Sequence, residues 1–122
     1  MPLVSIRGAV TAESNTVESI DEATLLLMNT LIEENKLSEE NIIHILFTAT
    51  SDLTARYPSV VVREILGWNQ TAILNFEEKV IDGQLPHCIR VLLLIETDRP
   101  KDEIKHSYLR EASKIRPDWL TV

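Results

Sequence analysis

The stretch "CIRVLLLIET", residues 88–97, is the most apolar of the chain, and Arg90 is the one charge inside it before Glu96. Its length suits a strand and falls far short of a membrane span, and unbroken apolarity is what a strand covered on both faces requires. A second run, "IIHILFTAT" at 42–50, is β-branched and continuously apolar and reads the same way, as a central strand. Two strands of this kind need cover on both sides, so the question becomes what the rest of the chain supplies.

Working outward, residues 3 to 11 alternate, with Val4, Ile6, Gly8 and Val10 on one face and Leu3, Ser5, Arg7 and Ala9 on the other. This is a strand carrying one arginine. Ser19 followed by Glu22 suggests a capping box, and Ile20, Ala23, Leu27, Leu31 and Ile32 fall near helical spacing, which predicts a helix over 18–35. Pro58 is suited to opening a short helix from Ser59 to Leu66 that stops at Gly67. "TAILNF" at 71–76 reads as a further strand and "DGQLPH" at 82–87 as a turn-rich connection. Ile104, Tyr108, Leu109, Ala112 and Ile115 have helical spacing in a charged segment that Pro117 closes. From about 112 the tail is poor in apolar residues, and flexibility is expected there. The sum is a single α+β domain over 1–122, a mixed sheet with two helices on one face. Two helices leave the other face bare, and another subunit is the expected cover.

Composition narrows the function. The chain has 122 residues, 44% of them hydrophobic, enough for one modest core. A net charge of −7 argues against general affinity for nucleic acid or anionic membrane, so any anion site must be local. With aromatics at 5%, no basic face interleaved with aromatic rings is available for a nucleic-acid module. One cysteine, Cys88, allows no internal disulfide, which favours a reducing, cytoplasmic setting. The opening "MPLVSIRGAV" lacks the features of a secretory leader, and none is expected.

Two arginines raise a physical question. A guanidinium at Arg90, on the strand face of Cys88, Leu92 and Leu94, needs a carboxylate, a carbonyl or a bound anion. Taken alone, a structural ion pair is the better account. Arg7 poses the same question in an otherwise apolar or small strand, beside Gly8, which allows a close backbone approach. Two embedded arginines on separate strands point to an anion site without naming the anion. Glu78, among acids at a strand end, reads by default as solvated. Asn75 and Glu78 are three apart, so a site using both predicts a bend or helical turn after Leu74. His44, His87 and His106 are scattered with no carboxylate at ligand spacing, so no metal site is expected, and His44 reads as a core-edge residue. No nucleophile elbow, P-loop or dinucleotide fingerprint can be made from Gly8, Gly67 and Gly83. Cys88 reads as a buried packing residue.

The blocks "IRGAVTAESNT", "ATSDLTARYPSVVVREILGW", "CIRVLLLIETDRP" and "IKHSYLREASKIRPD" occur in order, and together they resemble the AroH-class chorismate mutases over nearly the whole chain. The resemblance implies a cofactor-free and metal-free rearrangement of chorismate to prephenate, on the route to phenylalanine and tyrosine. It also implies a homotrimer with a pseudo-α/β-barrel core and three active sites in the clefts between subunits. Carried over by position, it makes Arg90 the residue that reaches the ether oxygen and a substrate carboxylate, and Arg7 a carboxylate clamp. Tyr108 then donates its hydroxyl to a carboxylate, and Glu78 receives the ring hydroxyl. Arg63 and Arg116 stand at the mouth of the site, and Ile115 forms an apolar wall. Tyr57 stands where the family often has Phe, Val60 where it can have Lys, and Leu74 with Asn75 replaces a Thr and Cys pairing. Tyr57 keeps the apolar ring, and Asn75 keeps a hydrogen bond to the ring hydroxyl. A non-catalytic trimeric binder of small metabolites is the competing reading. The joint presence of Arg7, Arg90, Glu78 and Tyr108 separates the two.

Overall fold

The computed structural model describes residues 2–115. Its framework is a five-stranded sheet in the order β3-β2-β4-β1-β5. The strands are β1 (Leu3–Thr11), β2 (Ile42–Ala49), β3 (Ala72–Glu77), β4 (Cys88–Glu96) and β5 (Ser107–Tyr108). The apolar run at 88–96 is the centre of the sheet, antiparallel to β1 on one side and β2 on the other. The outer pairs, β2 with β3 and β1 with β5, are parallel.

Register sorts the side chains into two faces. Val10 lies opposite Ile89, Ile6 opposite Leu93, and Phe47 opposite Val91, and all of these are buried. Helix α1 (Val17–Asn35) lies on this face and buries Ile20, Ala23, Leu27, Met28 and Leu31 completely. Gly8 makes the close approach possible. A Cβ there would stand 2.9 Å from a Leu27 methyl, 3.0 Å from a Leu31 methyl and 3.1 Å from the Ser107 carbonyl oxygen. The helix is capped three residues before the predicted capping box. Thr16 is the N-cap, its hydroxyl accepting from the Ser19 N–H at 3.1 Å, while Glu22 instead accepts from Arg110 at 3.0 Å. Thr16 already takes the Ser19 N–H, one of the groups left free at a helix start, so Ser19 continues the helix.

The short helix predicted at 59–66 forms, but Val61–Ile65 is wound as a π-helix. The Leu66 N–H bonds the Val61 carbonyl five residues back at 3.0 Å, and the helix stops at Gly67, whose φ of +73° suits glycine. Val62 joins the α1 cluster, so both helices serve the same sheet face.

The helical spacing over 104–115 does not mark a continuous helix. A 3₁₀ turn (Lys101–Glu103), the two-residue strand β5 and a second 3₁₀ turn (Arg110–Lys114) take its place. The helix-like spacing arose because Ile104 is buried in the main core, whereas Tyr108 and Ala112 are buried in a separate cluster with Ala9 and Cys88. Ala112 is fully buried, and Ile115 packs against the Tyr108 cluster. The remaining positions of the tail, Arg116 among them, lie outside the described residues.

On the opposite sheet face Leu46, Leu92 and Leu94 are half-buried, and Leu3, Leu74 and Phe76 are exposed. Apart from the turn beside Tyr108, no helix among the described residues packs on it.

Candidate active site

The open face carries the polar residues that the apolar strands singled out. In β4 the side chains alternate, so Ile89, Val91 and Leu93 go under the helices while Cys88, Arg90 and Leu92 face outward. Thr48 of β2 lies opposite Arg90. The parallel pairing of β2 with β3 carries on one residue past the strand end, since the Glu78 N–H bonds the Ala49 carbonyl at 2.9 Å. That contact delivers the Glu78 side chain to the same face. Arg90 grips it with two parallel bonds, Nε to Oε2 at 2.9 Å and a terminal guanidinium nitrogen to Oε1 at 2.6 Å. The Thr48 hydroxyl donates to Oε2 at 2.5 Å. The carboxylate is therefore fixed from two strands. Hydrogen bonding to Glu78 pushes the Arg90 guanidinium above its ordinary value, against the opposing effect of burial.

Exposure decides how to read this pair. The Glu78 side chain is 13% exposed, but that of Arg90 is 37% exposed. The guanidinium is thus paired on one edge and open on another, over a cavity of about 340 Å³ lined by Glu78, Gln84, Leu85, Cys88, Arg90 and Ile115. Burial pushes the Cys88 thiol up to about 11, so it is neutral and apolar in this wall. Arg7 stands opposite Leu92 in the β1–β4 register, which places it diagonally from Arg90 on the same face. Its guanidinium carbon lies 6.0 Å from the centre of the Tyr108 ring, at the edge of cation–π range. Tyr108 itself is 1% exposed, wedged among Ala9, Cys88 and Ala112.

The other candidates do not meet this group within the chain. Asn75 falls on the helix side of β3, opposite Phe47, where its amide donates to the Ser59 hydroxyl at 2.8 Å. The bend predicted after Leu74 is absent, because the β2–β3 ladder runs without interruption to Glu77 and leaves Asn75 and Glu78 on opposite faces. Tyr57 is 67% exposed and borders a separate cavity of about 190 Å³ with Arg56, Asn75 and Phe76. Leu74 and Arg63 are exposed, the latter on the short helix. The site residues therefore form two sets, one on the open face around Arg90 and one along the outer edge at β3 and the short helix.

Residues 3–119 match the family described as chorismate mutase type I. The chain is 40% identical over 118 residues to chorismate mutase AroH of Bacillus subtilis (strain 168), spanning 97% of this chain and 93% of the relative. It is 43% identical over 114 residues to chorismate mutase AroH of Thermus thermophilus, 93% of each chain. The chain belongs to the chorismate mutase family. The fold agrees with this. The chorismate mutase structure from Clostridium thermocellum superposes with a TM-score of 0.88 at 40% identity, over 91% of this chain and 98% of that one.

Within that family frame, several residues had no signal in the sequence. Thr48 meets Glu78 only because β2 lies beside β4, and Ser59 meets Asn75 only because the short helix lies beside β3. Asn35, read as the end of a helix, is 2% exposed and holds the Lys105 backbone from both sides, as donor and acceptor. Among the described residues no three His, Cys, Asp or Glu side chains cluster as a metal site, and no helix is long and apolar enough to cross a membrane.

Proposed function

We propose that this chain rearranges chorismate to prephenate in the cytoplasmic biosynthesis of phenylalanine and tyrosine, acting as a homotrimer with its sites between subunits. The observation that carries the reading is the half-open Arg90, locked to Glu78 along one edge and standing diagonally from Arg7 on one sheet face. The reaction breaks the ether C–O bond as a new C–C bond forms within the same molecule, and no group of the protein gives or takes a proton. What the protein must supply is conformation and charge. Arg7 and Arg90 hold the two carboxylates in the compact conformer, which removes much of the entropic barrier. The free edge of Arg90 faces the ether oxygen, where negative charge grows as the bond breaks, and a preorganised cation stabilises that charge. Glu78, held by Thr48 and Arg90, accepts the ring hydroxyl.

The division of the candidates into two sets supports assembly. Tyr57, Arg63, Leu74 and Asn75 lie along an outer edge, and the exposed apolar face that includes Leu3, Leu74 and Phe76 asks for cover. A neighbouring copy that seats its Tyr57–Arg63 edge against the Arg90 cavity satisfies both requirements, with Ile115 as an apolar wall. The test is the loss of chorismate absorbance on adding pure protein, with prephenate as the product and a trimer mass by light scattering. Binding without turnover would identify a binding protein instead, and an active monomer would remove the shared-site arrangement.

A further inference from the structure

We propose that His106 is a positioning residue for Arg7, its ring nitrogen Nδ1 taking the Arg7 backbone N–H and fixing the arginine's place on the open face. The proposal rests on reading Arg7 as a clamp for a substrate carboxylate. The bond is 2.9 Å long and joins residues 99 apart in sequence. Its purpose follows from the sheet. β1 pairs with β4 along its whole length, but on its other side β5 reaches only Gly8 and Ala9. Ala9 turns its carbonyl to that side, where the Leu109 N–H bonds it at 2.9 Å. Two residues back, the Arg7 N–H turns the same way at a point where the two-residue strand has ended. The imidazole fills the missing rung of the ladder. Without it a half-buried N–H would face no strand partner, which is costly.

The ring is held firmly enough to do this. On one side the Lys105 N–H bonds Asn35 Oδ1 at 2.8 Å, and Asn35 Nδ2 bonds the Lys105 carbonyl at 2.9 Å. On the other side Ser107 and Tyr108 are buried in β5. His106 is thus the one half-buried residue between two anchored backbone segments. The same segment reaches Arg7 at a second point, where the Tyr108 ring stands 6.0 Å from the guanidinium. Accepting the N–H requires Nδ1 to be bare, so the ring serves in its neutral form with the proton on Nε2. Arg7 grips a carboxylate that keeps its charge throughout the reaction, so its hold is alike before and during the step, and a slight loosening that leaves the conformer selected shows in KM far more than in kcat.

The experiment compares His106→Asn, His106→Gln and His106→Leu. Asparagine places its Oδ1 near the position of Nδ1 and restores the acceptor, while the glutamine oxygen reaches towards Nε2 and leucine has none. His106→Asn is expected to keep KM within about twofold of wild type, and the other two to raise it roughly fivefold or more, with kcat nearly unchanged. A role in packing alone predicts the reverse ranking, since glutamine is closer to histidine in size. Equal KM values in all three variants, glutamine ranking above asparagine, or a fall in kcat with KM unchanged would overturn the proposal. If His106→Leu does not fold, the Asn–Gln ranking still decides. Independently of turnover, NMR on labelled wild-type protein should show a coupling through the hydrogen bond between the Arg7 amide nitrogen and His106 Nδ1, and its absence would also refute the proposal. Wild-type protein inert towards chorismate sinks the functional reading, whereas active protein with KM unaltered in His106→Leu sinks only this one.

Discussion

Ile89 and Arg90 are neighbours in β4, yet Ile89 is fully buried beneath the helices and Arg90 reaches solvent across a carboxylate. The same contrast repeats between Phe47 and Thr48 in β2, and between Ile6 and Arg7 in β1. One face of the sheet is closed by α1 and the short helix and is filled with apolar side chains whose task is cohesion. The other, apart from the turn beside Tyr108, carries no helix among the described residues, and every polar residue that the functional reading uses most, Arg7, Thr48, Glu78 and Arg90, projects from it. The difference teaches how a small domain builds a precise site. The covered face makes the strands rigid, and a rigid strand holds each alternate residue in place on the far side.

The sharpest way to break this comparison is Arg90→Lys. Lysine keeps the charge but cannot bond both oxygens of Glu78 while presenting a second edge to the substrate. The expected loss in kcat is on the order of 10² or more, because the ether oxygen gains its charge only towards the transition state, with the melting temperature little changed. Steady-state kinetics beside thermal melts would check it, and a normal kcat would remove Arg90 from the chemistry.

Leu27→Ala tests the other face. Leu27 is fully buried against Gly8, so its truncation leaves a cavity and should cost about 2–5 kcal/mol in urea unfolding. The kcat of the protein that remains folded should stay near wild type. If kcat fell in proportion to stability, the two faces would not be separable.

Thr48→Val sits between these cases. It conserves shape and removes one hydrogen bond to the Glu78 carboxylate, so a fall in kcat of roughly five- to tenfold is expected, with stability affected by about 1 kcal/mol. An unchanged rate would mean that Arg90 alone suffices to orient Glu78. The smallest effect concerns pH. Arg90 is held above its ordinary value by Glu78, and burial pushes Cys88 up to about 11, so both keep their protons between about pH 6 and 9. The kcat profile should be close to flat over that range, and a bell with limbs near neutrality would show that a titrating group takes part in the step.

Much of the covered face was legible in advance because its causes are local. Alternation delimits β1 at Leu3–Thr11 to the residue, unbroken apolarity marks β2 and β4, and helical spacing finds α1 within one residue of its start at Val17. Arg7 and Arg90 stood out for a related reason, since a charge inside an apolar strand demands a partner wherever the strand ends up. The partner's identity was not legible. Glu78 looked like a solvated strand end until β2–β3 pairing carried it across to Arg90, and Asn75 was expected beside it but fell on the opposite face because the ladder stays regular. The segment from Ile104 to Ile115 misled most. Its buried residues recur at helical intervals, but they are buried against two different clusters, and its backbone bonds go to β1 about a hundred residues away. By itself, then, the sequence determined four of the five described strands, the long helix and the two arginines that needed an explanation, because periodicity and the cost of burying charge act within a few residues. Only the tertiary structure decided which residues face Arg90, what supports Arg7, and how the closing segment lies, because strand pairing joins residues whose separation along the chain leaves no trace in local pattern.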